Sequence, residues 1–594
     1  MKHYTEEEIL EILKRHKDVS VSYTDEDKQR ALVNPSLDEF RAGLKKKVEY
    51  LKSTPNEQLS FALFRRFEED GDRKQFEDRY FNRRQKLLAY ALEYWLHKDA
   101  DTLVHLQDIT WAMLEEYTWS VPAHLMRKGL KKVQDDKTYV VDLFASETAH
   151  ALSEMLTLVG DDLHPIIKDR IHFEIERRVL SRAYENQGEF FWHNVTNNWS
   201  AVCAGSVGMT AIYEIGDEER LAHFIERSLS MLENFYKGFS SDGACLEGLS
   251  YWNYGFGYFM YFADMLYRRT EGEINLFDDP HIKNIAFFYT KVFFKGSRTV
   301  SFSDGGSHGK CSIGALSILA KYYPDYRIPS AEYINFDFSD DYCARFALAV
   351  RNTVLAREDL KTNTNEIIGT YLLEDAEWYI SSSACGVGIA AKAGNNGEPH
   401  NHNDVGSFLI YKNGESLIAD IGAGEYTRQY FTPDTRYTIF CNSSASHSVP
   451  IINGEYQKAG ASYAAKDTTM TEGGIVSDIA GAYDVKSLKS LRRSLSFDAN
   501  SGAVALKDSF EFDSKPSSVV ERFVSPCKPE ILSDRVDIKS KNEKMSIYFE
   551  ADKCIAKYEL VMDKAHHGED RETYVIDFEL KDPSVSFDAL FEIK

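Results

Sequence analysis

The sequence predicts an α+β protein of several domains, with an N-terminal incomplete (α/α) toroid followed by a C-terminal antiparallel β-sandwich. Three observations predict this fold class. The chain has 594 residues, which is too many for one hydrophobic core. Apolar residues recur at helical spacing up to about residue 351, and short strand-like runs dominate after the polar linker 362–365. No fixed-period motif marks a solenoid, so successive helix hairpins favour a ring of antiparallel pairs.

Roughly ten helices with short links are predicted in the first part of the chain. The clearest begins near Arg83, where apolar residues follow a helical period through Leu96. The others are predicted over 103–117, 142–159, 165–184, 200–215, 219–237, 251–270, 281–294, 312–323 and 340–351. The sequence therefore divides into an N-terminal helical segment, the toroid and the sandwich, at residues 1–80, 81–361 and 362–594.

The last part of the chain consists of short strand-like runs separated by turn residues. They are predicted over 378–383, 387–391, 407–411, 416–421, 487–498, 503–513, 519–524, 546–550 and 573–579. Asn413 and Gly414 form a two-residue hairpin signal. This hairpin would pair Lys412 with Glu415 and Ser407 with Asp420.

Composition excludes several classes of partner. The net charge of −23 argues against broad binding to nucleic acid or to an anionic membrane. The N-terminus lacks the apolar core of a secretory signal, and no apolar run is long enough to span a membrane. The eight cysteines form no CxxC pair and are interpreted as reduced thiols. We therefore expect a cytoplasmic protein without nucleic-acid or membrane partners.

The most informative stretch is His400-Asn-His402-Asn-Asp404. Alternate side chains of an extended chain point to the same side, so two imidazoles and a carboxylate would share one surface. Such a cluster can bind a metal, move protons, or do both. However, His402 precedes Ser407 by five residues, roughly 16 Å along a straight strand. A metal shared with Asp420 would therefore require the chain to fold back, which a bend at Gly406 would allow.

Three stretches resemble the heparinase II/III group of polysaccharide lyases. They are 196–203, 242–255 and 392–408, the last continuing through 419–422. The resemblance covers residues 80–594, and it implies the same order of toroid and sandwich. It also implies β-elimination at a uronic acid, in which a base removes the C5 proton and an acid protonates the departing O4.

The resemblance implies a role for each member of the catalytic set. Asn198 would neutralise the substrate carboxylate, and His400 would be the base. Tyr254 is the first choice for the acid from its spacing to Asn198, and Tyr251 is the alternative. Taken alone, Asn198 is better interpreted as a helix cap and either tyrosine as an aromatic on a helix face, but together with the stretch 392–408 the catalytic interpretation is favoured.

The resemblance also implies one structural zinc ion per chain. By motif order its ligands would be His402, Asp420 and His447, which are residue types that suit zinc. The metal would stiffen the loop that holds the catalytic histidine. His447 departs from the pattern, because it precedes Ser448 where the family commonly has His-Asn.

Further residues are candidates for substrate binding. Arg436 and Tyr437 could hold a carboxylate or sulfate, Trp119 could stack on a sugar beside His124, and Glu247 could orient the tyrosine segment. Asn197 and Trp199 flank Asn198 and join this set. The Gly-rich segment 303–308 lacks the lysine of a phosphate-binding loop and is interpreted as a loop facing the cleft.

Two other functions remain open at this point. A glycoside hydrolase would need two flanking carboxylates, and Glu247 with Asp404 is the only attractive pair. A non-catalytic glycan-binding protein of the same architecture would need only the cleft aromatics. For a lyase, the substrate could be heparan sulfate, hyaluronan, chondroitin or alginate. The acidic surface favours short anionic oligosaccharides, and both a homodimer and the choice between endo and exo action stay open.

Overall fold

A computed structural model describes residues 1–125, 140–185, 190–338, 341–583 and 586–594. Contacts between residues divide the chain into two compact units. The helical unit comprises 1–238, 253–283 and 311–364, and the sheet unit comprises 239–252, 284–310 and 365–594. Within the described ranges, no helix combines the length and the apolar character needed to cross a membrane.

The helical unit is built from helices, several of which pack against the next helix along the chain. Its longer helices are Glu6–Arg15, Asp25–Val33, Asp38–Lys52, Lys74–His97, Ala100–Leu114, Leu143–Val159, Pro165–Ile175, Asn198–Glu214, Glu218–Lys237, Gly257–Arg269, Ile313–Tyr322 and Phe346–Val354. A further helix, Pro280–Lys291, crosses the boundary between the units. Most of these helices lie close to the predicted ranges, because long periodic stretches carry the strongest sequence signal.

The helix Asn198–Glu214 is the centre of the helical unit. It packs against Leu143–Val159, Glu218–Lys237 and Gly257–Arg269, and it is buried on almost every side. Small residues allow this close packing. A Cβ added at Gly205 would lie 2.9 Å from the carbonyl oxygen of Tyr258. A helix that is apolar all round is buried in this way, which explains its low amphipathicity.

The first 80 residues pack with the rest of the helical unit. Thr5 caps the helix Glu6–Arg15 through a capping box with Glu8. This helix packs against Glu218–Lys237, and Arg15 forms an ion pair with Glu273. The contacts therefore group this segment with the toroid helices, whereas the sequence division treats residues 1–80 as a separate part.

The sheet unit contains three larger antiparallel sheets. The five-stranded sheet has the order Glu415–Ile418, Phe408–Lys412, Val387–Lys392, Trp378–Ser382 and Gly369–Leu373. The four-stranded sheet has the order Ile451–Ile452, Val519–Ser525, Asp570–Leu580 and Cys554–Lys564. The eight-stranded sheet has the order Lys466–Thr471, Gly474–Asp478, Leu488–Phe497, Val504–Phe512, Phe587–Ile593, Lys544–Phe549, Arg535–Lys539 and Pro529–Ile531. Inward-facing residues of these sheets form one apolar core.

The predicted hairpin at Asn413-Gly414 is present, but its register shifts. Lys412 pairs with Glu415 as expected. A bulge then places Ile418 opposite Ile410, and the strand ends there. The predicted pairing of Ser407 with Asp420 is therefore wrong, because one extra residue on the second strand moves its remainder out of step.

Two segments of the predicted toroid range pack within the sheet unit. In 239–252 and 284–310, Trp252 stacks on Tyr289 with ring centroids 4.1 Å apart and donates a hydrogen bond to the Ile285 carbonyl. The backbones of Gly248 and Gly305 lie close together. A Cβ added at Gly248 would be only 3.0 Å from the Gly305 Cα. These contacts place the segment 239–252, which contains Tyr251, beside the Gly-rich loop 303–308 within one unit.

Candidate active site

The histidine segment is an irregular loop, so the predicted alternation of an extended chain is wrong. Residues 400–407 contain no strand, and His400 has a left-handed φ of +54°. Gly406 has φ +88°, which gives the bend that the sequence allowed. As a result, His402 and Asp404 are fully buried, whereas the His400 side chain is 25% exposed.

A buried ion cluster anchors this loop. The Lys392 ammonium lies 2.9 Å from Asp404 and 3.1 Å from Glu398, and all three side chains are buried. Removing either carboxylate would leave a buried charge only partly compensated. Asp404 is therefore committed to the loop, which removes the carboxylate pair that a glycoside hydrolase would need.

Asp304, in the Gly-rich loop 303–308, contacts both histidines and two tyrosines of the site. Its Oδ2 lies 2.7 Å from His400 Nδ1 and accepts a hydrogen bond from Tyr426 at 3.0 Å. Its Oδ1 lies 3.1 Å from His402 Nε2 and accepts a hydrogen bond from Tyr430. Burial alone would raise the pKa of the Asp304 carboxyl, but hydrogen bonds from both histidines outweigh it and hold that pKa far below its usual range. Asp304 is thus a buried carboxylate that remains ionised.

Tyr251 lies directly beside His400. Its hydroxyl is 3.4 Å from His400 Nδ1 and 2.9 Å from the Tyr426 hydroxyl, and the rings of Tyr251 and His400 are 4.5 Å apart. Burial raises the pKa of Tyr251, and the negative charge of Asp304 raises it further. The phenol therefore stays protonated at neutral pH and is ready to act as an acid.

Glu247 is buried in the same unit. Burial raises the pKa of its carboxyl, and the positive charge available at His400 opposes that shift. No hydrogen bond from its side chain to another described residue accompanies this burial. Its predicted role in orienting Tyr251 stays a prediction.

His402, Asp420 and His447 converge on one point. One ligand atom from each lies within 4.8 Å of the others, and all three residues are buried. Among the described residues, His402 Nδ1, Asp420 Oδ2 and His447 Nδ1 are buried without a hydrogen bond of good geometry, and His447 Nδ1 lies 3.3 Å from Asp420 Oδ2. Buried polar atoms without partners are rare, so this donor set fits a zinc ion.

The opposite ring nitrogens of these histidines are held. His402 Nε2 contacts Asp304, and His447 Nε2 donates to the Cys441 carbonyl at 3.1 Å. Such outer contacts orient metal-binding histidines and fix their tautomers. The bend at Gly406 therefore brings together the ligands that a straight hairpin would keep apart.

In the helical unit, Tyr254 belongs to a different cluster. Its hydroxyl donates a hydrogen bond to Glu147, and the Arg345 guanidinium lies 4.0 Å from the centre of its ring. Burial raises the pKa of Glu147 to about 7, against the opposing charge of Arg345. Burial and the charge of Glu147 also raise the pKa of Tyr254.

Asn198 begins the central helix of the helical unit, and its neighbour caps that helix. The Asn197 side chain accepts a hydrogen bond from the Trp199 amide at 3.2 Å. The alternative interpretation of Asn198 as the helix cap is therefore wrong, and its predicted role towards the substrate carboxylate stays a prediction. Gly255 allows close approach here, because an added Cβ would lie 3.1 Å from Asn198 Cβ.

The candidate aromatic residues of the helical unit differ in exposure. Trp199 is half-buried and packs edge-on against His124 at 4.7 Å, and His124 Nδ1 lies 2.7 Å from Asp142. Trp119 is 1% exposed, and its indole donates to the Met113 carbonyl. The prediction of Trp119 as a sugar platform is wrong, because its ring has no free face in this core.

Arg436 and Tyr437 both hold the histidine loop. Arg436 donates to the Asn401 carbonyl at 3.0 Å and to the Tyr430 carbonyl at 3.2 Å. Tyr437 donates to the Asn401 side chain at 2.7 Å. Their predicted role in substrate binding stays a prediction, and these contacts give them a structural role as well.

Asp304, Tyr426 and Tyr430 were missed as site residues by the sequence analysis. The Gly-rich segment around Asp304 was identified, but its acid was not singled out. The only available signal was a lone acid between Ser303 and Gly305. Tyr426 and Tyr430 lie in an irregular segment without a motif, so only the folded chain reveals them.

Comparison with known protein families identifies part of the sheet unit. Residues 372–581 match the family model described as Heparinase II/III-like, C-terminal. This match contains the histidine loop, the candidate metal ligands and most strands of the three sheets. No curated protein sequence matches the chain.

Solved structures share the fold over nearly the whole chain. A heparan sulfate lyase, HepC from Pedobacter heparinus, is 14% identical with a TM-score of 0.58, and the alignment covers 98% of this chain and 92% of that one. A heparinase III is 15% identical with a TM-score of 0.60 and coverages of 98% and 92%. A mutant of the Streptomyces coelicolor A3 chondroitin AC lyase is 12% identical with a TM-score of 0.50 and coverages of 98% and 82%. At these identities the likeness concerns the fold, and it confirms the predicted toroid followed by a β-sandwich.

Proposed function

We propose that the chain, whose residues 372–581 match the heparinase II/III-like family model, is a polysaccharide lyase that cleaves uronic-acid-containing glycans by β-elimination. The observation that carries this proposal is the Asp304–His400–Tyr251 arrangement. It pairs a carboxylate-oriented imidazole with a protonated phenol 3.4 Å away. Glycosaminoglycans are the preferred substrate class, because the similar solved proteins are heparan sulfate and chondroitin lyases.

The proposed reaction needs one base and one acid. His400 Nε2 takes the C5 proton, the C5–H electron pair forms the C4=C5 double bond, and the C4–O4 bond breaks. Tyr251 gives its phenolic proton to the departing O4. Asn198 is proposed to hold the substrate carboxylate, which must be neutralised as charge develops on it.

Tyr251 is preferred to Tyr254 as the acid. Tyr251 shares the sheet unit with His400 and contacts it, whereas the Tyr254 hydroxyl is engaged by Glu147. The raised pKa of Tyr251 keeps its proton available in the free enzyme. This assignment reverses the order that sequence spacing suggested.

One zinc ion per chain is part of the proposal. His402 Nδ1, Asp420 Oδ2 and His447 Nδ1 would hold it, since all three atoms are buried and converge on one point. When bound, the ion would supply fixed positive charge and rigidity to the loop that carries His400. Elemental analysis of protein purified without added metal tests the site, and a chain without bound metal would contradict it.

A substrate screen tests the proposed function. Heparan sulfate, hyaluronan, chondroitin and alginate are each incubated with the enzyme, and ultraviolet absorbance of the 4,5-unsaturated uronate is followed. We expect product from at least one glycosaminoglycan. His400→Ala serves as the inactive control. Chain shortening without the ultraviolet signal would instead indicate a hydrolase.

A further inference from the structure

The Asp304 carboxylate faces two histidines with different predicted roles. Its two oxygens lie 2.7 Å from His400 Nδ1 and 3.1 Å from His402 Nε2. An ionised carboxylate can only accept hydrogen bonds. Both histidines must therefore direct an N–H towards Asp304. This requirement leaves the lone pair of His400 on Nε2 and that of His402 on Nδ1.

These two lone pairs are the ones that the site needs. His402 Nδ1 belongs to the candidate metal triad with Asp420 and His447, and it has no hydrogen-bond partner among the residues that the structure describes. The His400 ring contacts Asp304 Oδ2 at 2.7 Å and the Tyr251 hydroxyl at 3.4 Å, and both contacts involve Nδ1, which donates its N–H to the carboxylate. One carboxylate thus selects both tautomers.

The Gly-rich loop holds Asp304 rigidly against the metal-ligand segment. Ser301 donates a hydrogen bond to the Asp420 carbonyl at 3.0 Å. A Cβ at Gly422 would lie 2.2 Å from the Gly305 carbonyl oxygen, and Gly422 has φ +63°. The two loops therefore touch backbone to backbone, which leaves Asp304 little freedom to follow one histidine and abandon the other.

We propose that Asp304 is a positioning residue that couples the metal site to the catalytic base by fixing the tautomers of His400 and His402 together. The inference rests on the proposed function and adds to it a residue that does not contact the reacting atoms. It predicts that loss of one acceptor oxygen disturbs both zinc retention and proton abstraction.

Asp304→Asn tests the coupling, because an amide offers one acceptor and one donor in nearly the same shape. One of the two histidines must then present a lone pair to the amide. With heparan sulfate oligosaccharides as substrate, we expect kcat to fall at least about 100-fold with KM little changed. We expect zinc release to EDTA to become at least about 10-fold faster. NMR of isotope-labelled histidine should show a changed tautomer for one ring.

Asp264→Asn is the matched control. Asp264 is also a buried carboxylate, paired with Arg268 and Lys321 within the helical unit, and it contacts neither histidine. It should lose stability without altering histidine tautomers or zinc release. If Asp304→Asn fails to fold, Tyr430→Phe removes one donor to Asp304 and should give a smaller acceleration of zinc release.

The outcomes separate this inference from the proposed function. Unchanged zinc release in Asp304→Asn, or faster release with full kcat, would overturn the coupling. If Asp304→Asn does not fold and Tyr430→Phe is used in its place, unchanged zinc release in Tyr430→Phe would also overturn the coupling. A wild-type enzyme that is inactive on every glycan would overturn the lyase proposal, and the tautomer and zinc measurements would still decide the role of Asp304.

Discussion

At the residue scale, the proton chemistry divides between His400 and Tyr251. The Asp304 carboxylate orients the imidazole, and burial beside that same charge keeps the phenol protonated. A base and an acid in hydrogen-bond reach of one another suit an elimination in which a proton leaves C5 and another reaches O4. A single histidine or a single tyrosine would not indicate elimination chemistry, but the two side by side do.

Replacing these two groups should abolish turnover. We expect His400→Ala and Tyr251→Phe each to lower kcat by about 10²–10⁴-fold, the usual contribution of general acid–base groups. Tyr254→Phe is the matched comparison, since it removes a phenol that donates to Glu147, and it should retain most activity. Steady-state kinetics on heparan sulfate checks all three. An inactive Tyr254→Phe with an active Tyr251→Phe would reverse the assignment.

The pH dependence of stability should report on Glu147. Burial raises the pKa of this carboxyl from an ordinary 4.5 to about 7. A raised pKa contributes stability that is complete below pH 4.5 and is lost as the pH rises through 7. Glu147→Gln cannot ionise, so between pH 5 and pH 8 it should lose less stability than wild type, by roughly 3 kcal/mol at most. Thermal unfolding across that range measures the difference. The exposed control Glu26→Gln should follow wild type, and parallel curves for Glu147→Gln and wild type would refute the prediction.

At the element scale, the loops depend on close backbone approach. Gly422 combines a left-handed φ with an added-Cβ distance of 2.2 Å to the Gly305 carbonyl oxygen. Gly454 has φ +77° with no atom within 4 Å of an added Cβ. A side chain at Gly454 would therefore meet backbone strain alone, whereas one at Gly422 would meet backbone strain and a steric collision.

Gly422→Ala should be much more destabilising than Gly454→Ala. Both substitutions add left-handed strain of about 1–2 kcal/mol, but only the first forces apart the Asp304 and Asp420 loops. We expect a further loss of roughly 2 kcal/mol or more at Gly422. Unfolding midpoints of the two variants give the comparison, and equal shifts would mean that the loops can separate without cost.

The elements that sequence could predict are those with local signals. The helix Leu143–Val159 and the strand Val387–Lys392 follow from periodicity and from apolar runs. The loop 399–407 could not be predicted, because its path is set by the buried charge of Lys392. The contact of Asp304 with His400 joins distant parts of the chain, and no local pattern reports it.

The same reasoning explains the errors in the site. Both Trp119 and Trp199 were candidates for substrate binding, and the sequence around them does not tell which one is buried. The folded chain buries Trp119 in the core. A bulge after Ser416 shifts the register of the hairpin. No residue in this strand indicates from the sequence that a bulge occurs there. The metal triad was predicted from resemblance alone, and the bend at Gly406 supplies the geometry that the straight hairpin lacked.

At the scale of the whole molecule, the net charge of −23 bears on substrate size. A long polyanion is repelled by an acidic surface, whereas a short oligosaccharide carries less charge and can enter a local site. The family match over residues 372–581 agrees with the lyase proposal, and substrate size, cellular location and oligomeric state stay predictions.

The enzyme should therefore prefer short uronate-containing oligosaccharides and release products from one chain end. The product profile over time on polymeric heparan sulfate and on a tetrasaccharide measures this preference. We expect faster turnover of the tetrasaccharide at low ionic strength, with a smaller difference at high salt because salt screens the repulsion. Early mid-sized fragments from the polymer, formed at a rate that matches the tetrasaccharide, would indicate an endo-acting enzyme.

The central claim is that the glycosidic bond of the uronate-containing glycan breaks by elimination. A reaction in water enriched in heavy oxygen tests this claim most directly. Elimination breaks the C4–O4 bond and adds no water, so mass spectrometry should find no heavy oxygen in either new chain end. The new non-reducing end should carry a C4=C5 double bond. Heavy oxygen at the new reducing end, with a saturated non-reducing end, would identify a hydrolase and contradict the roles given to His400 and Tyr251.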